Sequence, residues 1–385
     1  MRRRTALAVL AMAIGQTAVY IVRPTTSYRL LALGHGGTAV GIVAATFALV
    51  PLFIAIPLGR RADRERGARL LLYGCGIETF GCVLLAVVRS PVLLGTGNAV
   101  VGIGHLALAL GSQAVVARES DDKHHDRHFA LLTAGVSSGQ LVGPLLGGAL
   151  LQNGTRLLPT TSEALFVAAG ISALATAVAA LAERDRSVAD DDRTERADPR
   201  LLPILRTRGV PTAIFASVAV LSATDIFTAY LPVLGEQRHI APFAVGAILA
   251  LRAGASLVSR IGIAQLVRRF GRHRLISVAA VGAAAGLAGF TTTGNIAVFA
   301  LFAVVVGAGL GFAQPLSMTM VVQLVPQPLR ASALALRLTG NRIGQVAAPA
   351  AAGLIAGAAG ASGVFWLTSG LLVGSAGAIS ARRRG

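Results

Sequence analysis

Charged residues are scarce in this sequence. They make up 14% of its 385 residues, against about 25% in soluble globular proteins, and the mean hydropathy is +0.69. The composition therefore excludes an ordinary soluble domain. Cysteine is scarce too, with Cys75 and Cys82 as the only two. On one helix this spacing puts them about 10 Å apart along the axis, too far for a disulfide bond, so a disulfide framework is excluded.

The sequence is instead rich in long apolar runs. A helix needs about 20 mostly apolar residues to cross a bilayer. Twelve such windows occur, at 5–31, 38–58, 69–88, 91–116, 129–152, 163–182, 210–234, 241–259, 274–292, 295–323, 331–357 and 362–381. They leave no room for a soluble catalytic domain. The sequence therefore predicts an all-α integral membrane protein with twelve transmembrane helices, and not an enzyme.

Basic residues outnumber acids, with 35 Lys and Arg against 17 Asp and Glu. Most of them fall in the termini and the even-numbered loops, and only Arg89, Arg156 and Arg238 fall in odd-numbered loops. This asymmetry follows the positive-inside rule. It predicts a multi-pass protein of the cytoplasmic membrane with both termini in the cytoplasm. Because the charge follows topology, we expect the lipid bilayer as a partner and no nucleic acid.

One long polar segment separates six predicted spans from the other six. The two halves match at a constant offset of 205 positions, which aligns Gly139 with Gly344 and Pro144 with Pro349. Two parallel repeats of this kind build transporters with a cavity near the membrane midplane. We therefore predict an N-terminal six-helix bundle (1–182), a cytoplasmic linker (183–208) and a C-terminal six-helix bundle (209–385), related by pseudo-symmetry.

Six plus six spans with a basic turn after the second resemble the major facilitator superfamily. The turn "GRRADRERGARLLL" (59–72) is similar to the superfamily motif G-x-x-x-D-R-x-G-R-R, with Gly59, Asp63 and Arg64 at matching positions. The resemblance implies a latch that closes the cytoplasmic side, in which Arg64 and Arg69 pair with acids such as Glu119.

The second half contains a copy of this turn, "AQLVRRFGRHR" (264–274). It keeps Arg269, but Arg268 stands at the position of Asp63, so we expect a weaker latch there. A merely basic loop remains the alternative for the first copy.

The stretch "GQLVGPLLGG" (139–148) resembles the span-5 pattern G-x-x-x-G-P-x-x-G-G of proton-coupled drug exporters. Glycines four residues apart let two helices approach closely, and an interior proline bends a helix. The matching residues are Gly139, Gly143, Pro144, Gly147 and Gly148, echoed by Gly344, Pro349 and Gly353. The resemblance implies proton-coupled efflux, and helix packing without a bearing on direction is the alternative.

Span 4 departs from the exporter pattern, because Asn98 stands where exporters typically carry an intramembrane arginine. An uncharged amide cannot take over the role in proton coupling that this arginine is given. A proton symporter, an importer or a facilitator of a small solute on the same scaffold is therefore the alternative function.

Ionisable side chains inside a membrane are costly and mark function. Asp225 and Glu78 lie within predicted spans, together with Arg23 and His105. The repeat aligns Arg23 with Thr228, one turn from Asp225, so we expect Asp225 and Arg23 to pair at similar depth and to couple proton binding to transport. A static ion pair is the alternative. Glu78, expected in the cytoplasmic half of span 3, and His105 are further proton-coupling candidates, with structural roles as the alternative.

Other polar residues in the spans are candidates for lining a substrate cavity: Tyr28, Asn98, Gln113, Gln140, Arg252, Gln314, Asn341, Arg342 and Gln345. Aromatic residues make up 5% of the chain and include one tryptophan, fewer than a cavity for large flat compounds would usually show. We expect a monomer that moves a small molecule, with the proton as coupling ion and without a cofactor or metal.

Overall fold

The computed structural model describes residues 3–64, 67–120, 125–152, 156–184, 205–326 and 329–381. Ten helices within these ranges are long and apolar enough to cross a membrane. In chain order the helices are α1 (Arg3–Ala32), α2 (Gly37–Arg64), α3 (Gly67–Val87), α4 (Pro91–Glu119), α5 (His125–Gln152), α6 (Leu157–Arg184), α7 (Val210–Gln237), α8 (Pro242–Ser259), α9 (Ile263–Phe270), α10 (Arg272–Gly289), α11 (Ile296–Gln323) and α12 (Arg330–Ala381).

The all-α architecture predicted from the sequence is confirmed, and each of the twelve predicted spans falls in a described helix. The last two spans both fall in α12, which Gly360 divides. This residue has φ 66° and ψ −174°, a backbone conformation that glycine adopts without steric cost. The short helix α9 lies between two predicted spans, in the basic turn of the second half.

The chain divides into two compact units. Unit 1 comprises Met1–His35 and Ile42–Glu195, and unit 2 comprises Gly36–Gly41 and Arg196–Gly385. In unit 1, α1 packs against α5 and α6, and α3 packs against α4 and α6. In unit 2, α7 packs against α12, α8 against α11, and α10 against both α11 and α12. These pairings follow the order that the sequence repeat predicts.

The repeat also appears in individual backbone contacts. In unit 1, a Cβ atom at Gly102 of α4 would collide with the carbonyl oxygen of Phe47 on α2. In unit 2, a Cβ atom at Gly307 of α11 would collide with the carbonyl oxygen of Arg252 on α8. Gly102 aligns with Gly307, and Phe47 aligns with Arg252, at the offset of 205 positions. Glycine is therefore required at the same helix crossing in both units, as expected where backbones touch.

Candidate functional site

A buried acid and a histidine lie in the core of unit 1. Glu78 is 0% exposed, and its Oε2 lies 3.6 Å from Nδ1 of His105 on α4. This is ion-pair distance, longer than a direct hydrogen bond. Ser172 on α6 donates a hydrogen bond to Glu78 Oε1 at 3.3 Å. We expected Glu78 in the cytoplasmic half of its span, but it lies at the middle of α3, where a lone carboxylate is most costly.

The polar contacts continue on either side of this pair. Thr79 donates to the hydroxyl of Ser172 at 3.1 Å, next to the acid. On the other side, the ring of His105 lies 5.8 Å from that of Phe47. The guanidinium carbon of Arg23 lies 5.2 Å above the centre of the same Phe47 ring. Arg23 and His105 thus contact one aromatic ring, which connects two of the predicted proton-coupling residues.

A second buried acid lies in unit 2. Asp225, at the middle of α7, is 4% exposed and accepts a hydrogen bond from Nε2 of Gln345 at 3.0 Å. Oε1 of the same glutamine accepts a hydrogen bond from Nη1 of Arg342 at 3.1 Å. The amide of Gln345 therefore stands between a carboxylate and a guanidinium, with its nitrogen facing the acid. The pairing of Asp225 with Arg23 stays a prediction.

Glycines set the spacing of the helix pairs around these acids. A Cβ atom at Gly139 of α5 would lie 2.7 Å from Cβ of Gln16 on α1, and one at Gly143 would lie 2.7 Å from the carbonyl oxygen of Thr17. The close approach expected from "GQLVGPLLGG" is present at these two positions. Pro144 and Gly148 are buried, and Gly147 keeps ordinary spacing from α1, with 3.6 Å to the nearest atom.

The second copy of the glycine pattern packs in the same way within unit 2. A Cβ atom at Gly344 of α12 would collide with Val218 on α7. Pro349 and Gly353 lie against Gly41 of α2, which belongs to unit 2. A Cβ atom at Gly41 would collide with both of them. Gln345 therefore reaches Asp225 because its neighbour Gly344 allows α12 and α7 to touch.

The sequence profile of the Major Facilitator Superfamily matches residues 5–297 of the chain. The chain belongs to the Major Facilitator Superfamily. Relatives include Multidrug resistance protein MdtH of Klebsiella pneumoniae (strain 342), 29% identical over 150 residues, or 39% of this chain and 37% of that protein. The MdtH of Yersinia pestis (strain Pestoides F) is 26% identical over 242 residues, or 62% and 58%. The chain thus covers less than two thirds of either relative.

Solved structures of transporters resemble this fold over its full length. The nucleoside transporter NupG has a TM-score of 0.79 at 16% identity, covering 100% of both chains. A POT family transporter in complex with 5-aminolevulinic acid has a TM-score of 0.78 at 15% identity, covering 99% of this chain and 96% of that one. At such identities the likeness shows the fold alone. The superfamily consists of transporters, which agrees with the prediction that the chain is not an enzyme.

The superfamily's latch motif lies at the end of α2. The side chains of Gly59, Asp63 and Arg64 lie outside the described residues. The resemblance implies that Arg69 pairs with acids such as Glu119, and the acid that Arg69 contacts is Glu183 of α6, at 3.2 Å. The difference follows from the packing of α3 against α6, which brings Arg69 to the last turn of that helix.

Glu119, at the end of α4, pairs instead with Arg4 of α1 at 3.1 Å. This ties α1 to α4 at one end of unit 1. In the second copy of the motif, the guanidinium carbon of Arg269 lies 5.4 Å from the ring centre of Phe270, its neighbour on α9.

Two of the expected cavity-lining residues are packed inside unit 1. Tyr28 is 1% exposed and packs in an apolar cluster with Leu151 and Ala164. Asn98 is 4% exposed and donates a hydrogen bond to the carbonyl oxygen of Val43 at 2.6 Å, which ties α4 to α2. The amide of Asn98 is thus satisfied by a neighbouring helix, as a polar group in an apolar span can be. The cavity-lining role of both residues stays a prediction.

The remaining cavity candidates differ in exposure. Gln113 and Gln314 are exposed, Gln140, Arg342 and Gln345 are half-buried, and Arg252 and Asn341 are buried. Asn341 accepts a hydrogen bond from the hydroxyl of Ser217 at 2.9 Å, which adds a polar contact between α12 and α7 beside Asp225 and Gln345.

Two arginines cap helix ends, a role that no sequence pattern indicated. Arg29, 1% exposed, donates to the carbonyl oxygens of Ala86 and Val88 at 2.9 and 2.8 Å. Arg238 donates to the carbonyl oxygens of Thr291 and Thr293. Ala86 aligns with Thr291, and Val88 with Thr293, at the offset of 205 positions. Each unit therefore caps the same helix end with an arginine. The general signal for such a role is that helix C-termini leave carbonyl groups without partners.

Proposed function

We propose that this chain is a secondary active transporter that exports a small molecule across the cytoplasmic membrane by alternating access, in exchange for protons. The observation that carries the proposal is the Glu78–His105 pair, held at the middle of α3 with Ser172 as a third partner. Buried ionisable groups of this kind mark proton pathways in membrane proteins.

The pair has three protonation states with different net charges. With one proton between them, Glu78 and His105 form either a neutral pair or an ion pair, and both states are tolerable in an apolar core. A second proton leaves a net positive charge, and the loss of the first leaves a net negative charge. Each of these states costs free energy unless the surroundings change. Binding or release of a proton therefore favours a rearrangement of α3 against α4.

Phe47 provides a route from this pair to the rest of unit 1. Its ring contacts both His105 and Arg23. A protonated His105 places a second cation on a ring that already contacts the Arg23 guanidinium, and like charges repel in a low-dielectric site. Proton uptake at the pair then changes the electrostatic interaction with Arg23 on α1 and with Phe47 on α2.

Asp225 supplies the second proton-binding candidate, in unit 2. Its carboxylate is held by Gln345, which in turn contacts Arg342. Because Gln345 lies on α12 and Asp225 on α7, a movement of α12 against α7 removes this hydrogen-bond donor from the carboxylate.

Export is supported by the relatives and by one sequence pattern. The MdtH relatives carry the name multidrug resistance protein, and the glycine pattern of α5 resembles exporters. Against this, Asn98 stands where exporters typically carry an arginine in span 4, and its side chain ties α4 to α2. A symporter, importer or facilitator is therefore the second candidate.

The sign of a driven flux separates the two candidates. We would reconstitute the protein in liposomes and offer a panel that includes ethidium and Hoechst 33342, with the pH gradient imposed in either orientation. An exporter coupled by antiport accumulates the probe in the more acidic compartment. Accumulation in the more alkaline compartment would show symport, and a flux that ignores the gradient would show facilitated transport.

A further inference from the structure

Two arginines of unit 2 meet at one glutamine. Arg260, which follows the last residue of α8, donates from Nη2 to Oε1 of Gln314 on α11 at 3.2 Å. On α12, Nη2 of Arg337 lies 3.5 Å from the main-chain carbonyl oxygen of the same glutamine. Three helices, α8, α11 and α12, thus bring two positive charges to one residue. We call Arg260, Gln314 and Arg337 the arginine–glutamine cluster.

The positive charge of this cluster has no partner of opposite sign in the described ranges. Arg337 is only 6% exposed, and the Nε atoms of both arginines are buried without a hydrogen-bond partner there. Burial lowers the pKa of Arg260, and no acidic neighbour within those ranges offsets it. The acids in the described part of unit 2 are Asp225 and Glu236, both on α7. A buried guanidinium without an anion is costly.

The fold itself does not require these charges. At the repeat positions of unit 1 stand Ala55, Ala109 and Leu132. Ala109 packs against the apolar cluster that contains Leu132, so the same helix contact is made there by hydrocarbon alone. The arginine–glutamine cluster of unit 2 is therefore not needed for the packing that the units share. A bound anion would offset the free energy that its buried charges cost.

We propose that the arginine–glutamine cluster binds a phosphate-type oxyanion. The Nε and Nη groups of arginine form a fork that matches two oxygens of such an anion, and the Nε–H of both forks is unused. Gln314 accepts from Arg260 at Oε1 and keeps its amide hydrogens as additional donors. Its exposed side chain gives the anion access. A tetrahedral oxyanion offers enough oxygens for donors that converge from three helices.

This site is separate from the proposed proton coupling. Gln345, which holds Asp225, lies about 12 Å further along the axis of α12 than Arg337. The phosphate group could belong to a soluble anion or to a lipid headgroup, because the cluster recognises the same oxygens in both. Binding is therefore measured without transport, so that a failure of this proposal is distinct from a failure of proton-coupled export.

The first experiment uses inorganic phosphate on the purified full chain in detergent. Thermal unfolding is followed as phosphate is added at constant ionic strength, with chloride as the reference anion. We expect phosphate to raise the unfolding temperature of the wild type. Arg337→Gln should raise the phosphate concentration needed for the same stabilisation about tenfold or more. This is the effect on affinity of losing one charge-assisted hydrogen bond. Arg337→Lys should keep the charge and lose part of the response with the fork.

Arg268→Gln is the matched control, because it removes one exposed arginine of α9 outside the cluster. It should respond to phosphate as the wild type does. If Arg337→Gln does not fold, Arg260→Gln and Gln314→Leu measure the same loss from the accessible side of the cluster. A response to phosphate that is equal in the wild type, the control and every cluster variant would overturn the proposal.

The second arm distinguishes the sources of the phosphate group. The protein is placed in nanodiscs of phosphatidylcholine, with or without phosphatidylglycerol, and unfolding is measured in the absence of free phosphate. Stabilisation by phosphatidylglycerol that is lost in Arg260→Gln and kept in Arg268→Gln assigns the site to a lipid headgroup. A response to free phosphate alone assigns it to a soluble anion, and a response to neither contradicts the site.

Discussion

Unit 1 and unit 2 share their helix packing but not their buried charges. At the position of Glu78 unit 2 has Ala283, and at the position of His105 it has Leu310. The glycines beside the acid are used in both units: a Cβ atom at Gly104 would collide with the backbone of Glu78, and one at Gly309 with the carbonyl oxygen of Ala279. The backbone contact is thus kept where the charge is not.

The reverse holds at the second acid. Asp225 and Arg342 of unit 2 align with Tyr20 and Ser137 of unit 1, although Gln345 aligns with a glutamine, Gln140. The difference teaches that close packing by glycine belongs to the fold of both units, whereas each buried polar cluster belongs to one unit alone. Changes at the shared glycine crossings should therefore affect stability equally in both units, and changes at a buried polar cluster should affect only the unit that has it.

The largest effect on stability should come from the helix-capping arginines, which both units have. Arg29→Leu removes a buried guanidinium together with its hydrogen bonds. The carbonyl groups at the end of α3 are then left without donors. We expect a loss of about 3–5 kcal/mol, because two carbonyl groups and two hydroxyl groups lose a buried donor and each unsatisfied group costs up to about 1–3 kcal/mol. Arg238→Leu should cost less, about 1–3 kcal/mol, since it leaves two carbonyl groups unsatisfied. Thermal unfolding in detergent measures both, and a stable Arg29→Leu would contradict the capping role.

Equal effects are expected at the shared glycine crossings. Gly102→Ala and Gly307→Ala each place a Cβ atom against a carbonyl oxygen of the facing helix. Overpacking of this kind costs about 1–3 kcal/mol. Gly170→Ala, at a position with open space around it, is the control and should be neutral or slightly stabilising. A large difference between the two crossings would break the comparison between the units.

A smaller and unequal effect is expected at the aligned glutamines. Gln345→Leu removes the amide that donates to Asp225, and the loss of a hydrogen bond to a charged group costs about 1.5–3 kcal/mol. Gln140 at the repeat position has no hydrogen bond to an acid among the described residues of unit 1, so Gln140→Leu should change stability by less than about 0.5 kcal/mol. Similar losses in both variants would mean that the glutamines serve packing, and that Gln345 has no special relation to Asp225.

The sequence predicted the spans, the repeat and the close-packed glycines because these depend on local composition and spacing. Apolar length identifies a spanning helix whatever lies beside it, and Gly139 and Gly344 align without knowledge of their neighbours. It also identified Glu78, His105 and Asp225, because an ionisable residue inside an apolar run is conspicuous on its own.

Contacts between helices were beyond the reach of the sequence pattern. Ser172 and Gln345 hold the two acids, but nothing local distinguishes them from other polar residues in the spans. Tyr28 and Asn98 were assigned to a cavity from their polarity, which alone does not tell which side of a helix faces a neighbour. The acid that pairs with Arg69 likewise depends on how α3 crosses α6, which rotation and tilt of whole helices decide.

Glu78→Gln tests most directly whether the cluster confined to unit 1 couples protons to transport. The readout is probe accumulation in liposomes driven by a pH gradient, together with probe exchange at equilibrium, which needs no gradient. Glu163→Gln, at an exposed position of α6, is the control. We expect Glu78→Gln to lose gradient-driven accumulation and keep exchange, while the control keeps both. Accumulation by Glu78→Gln at the wild-type level would contradict the account.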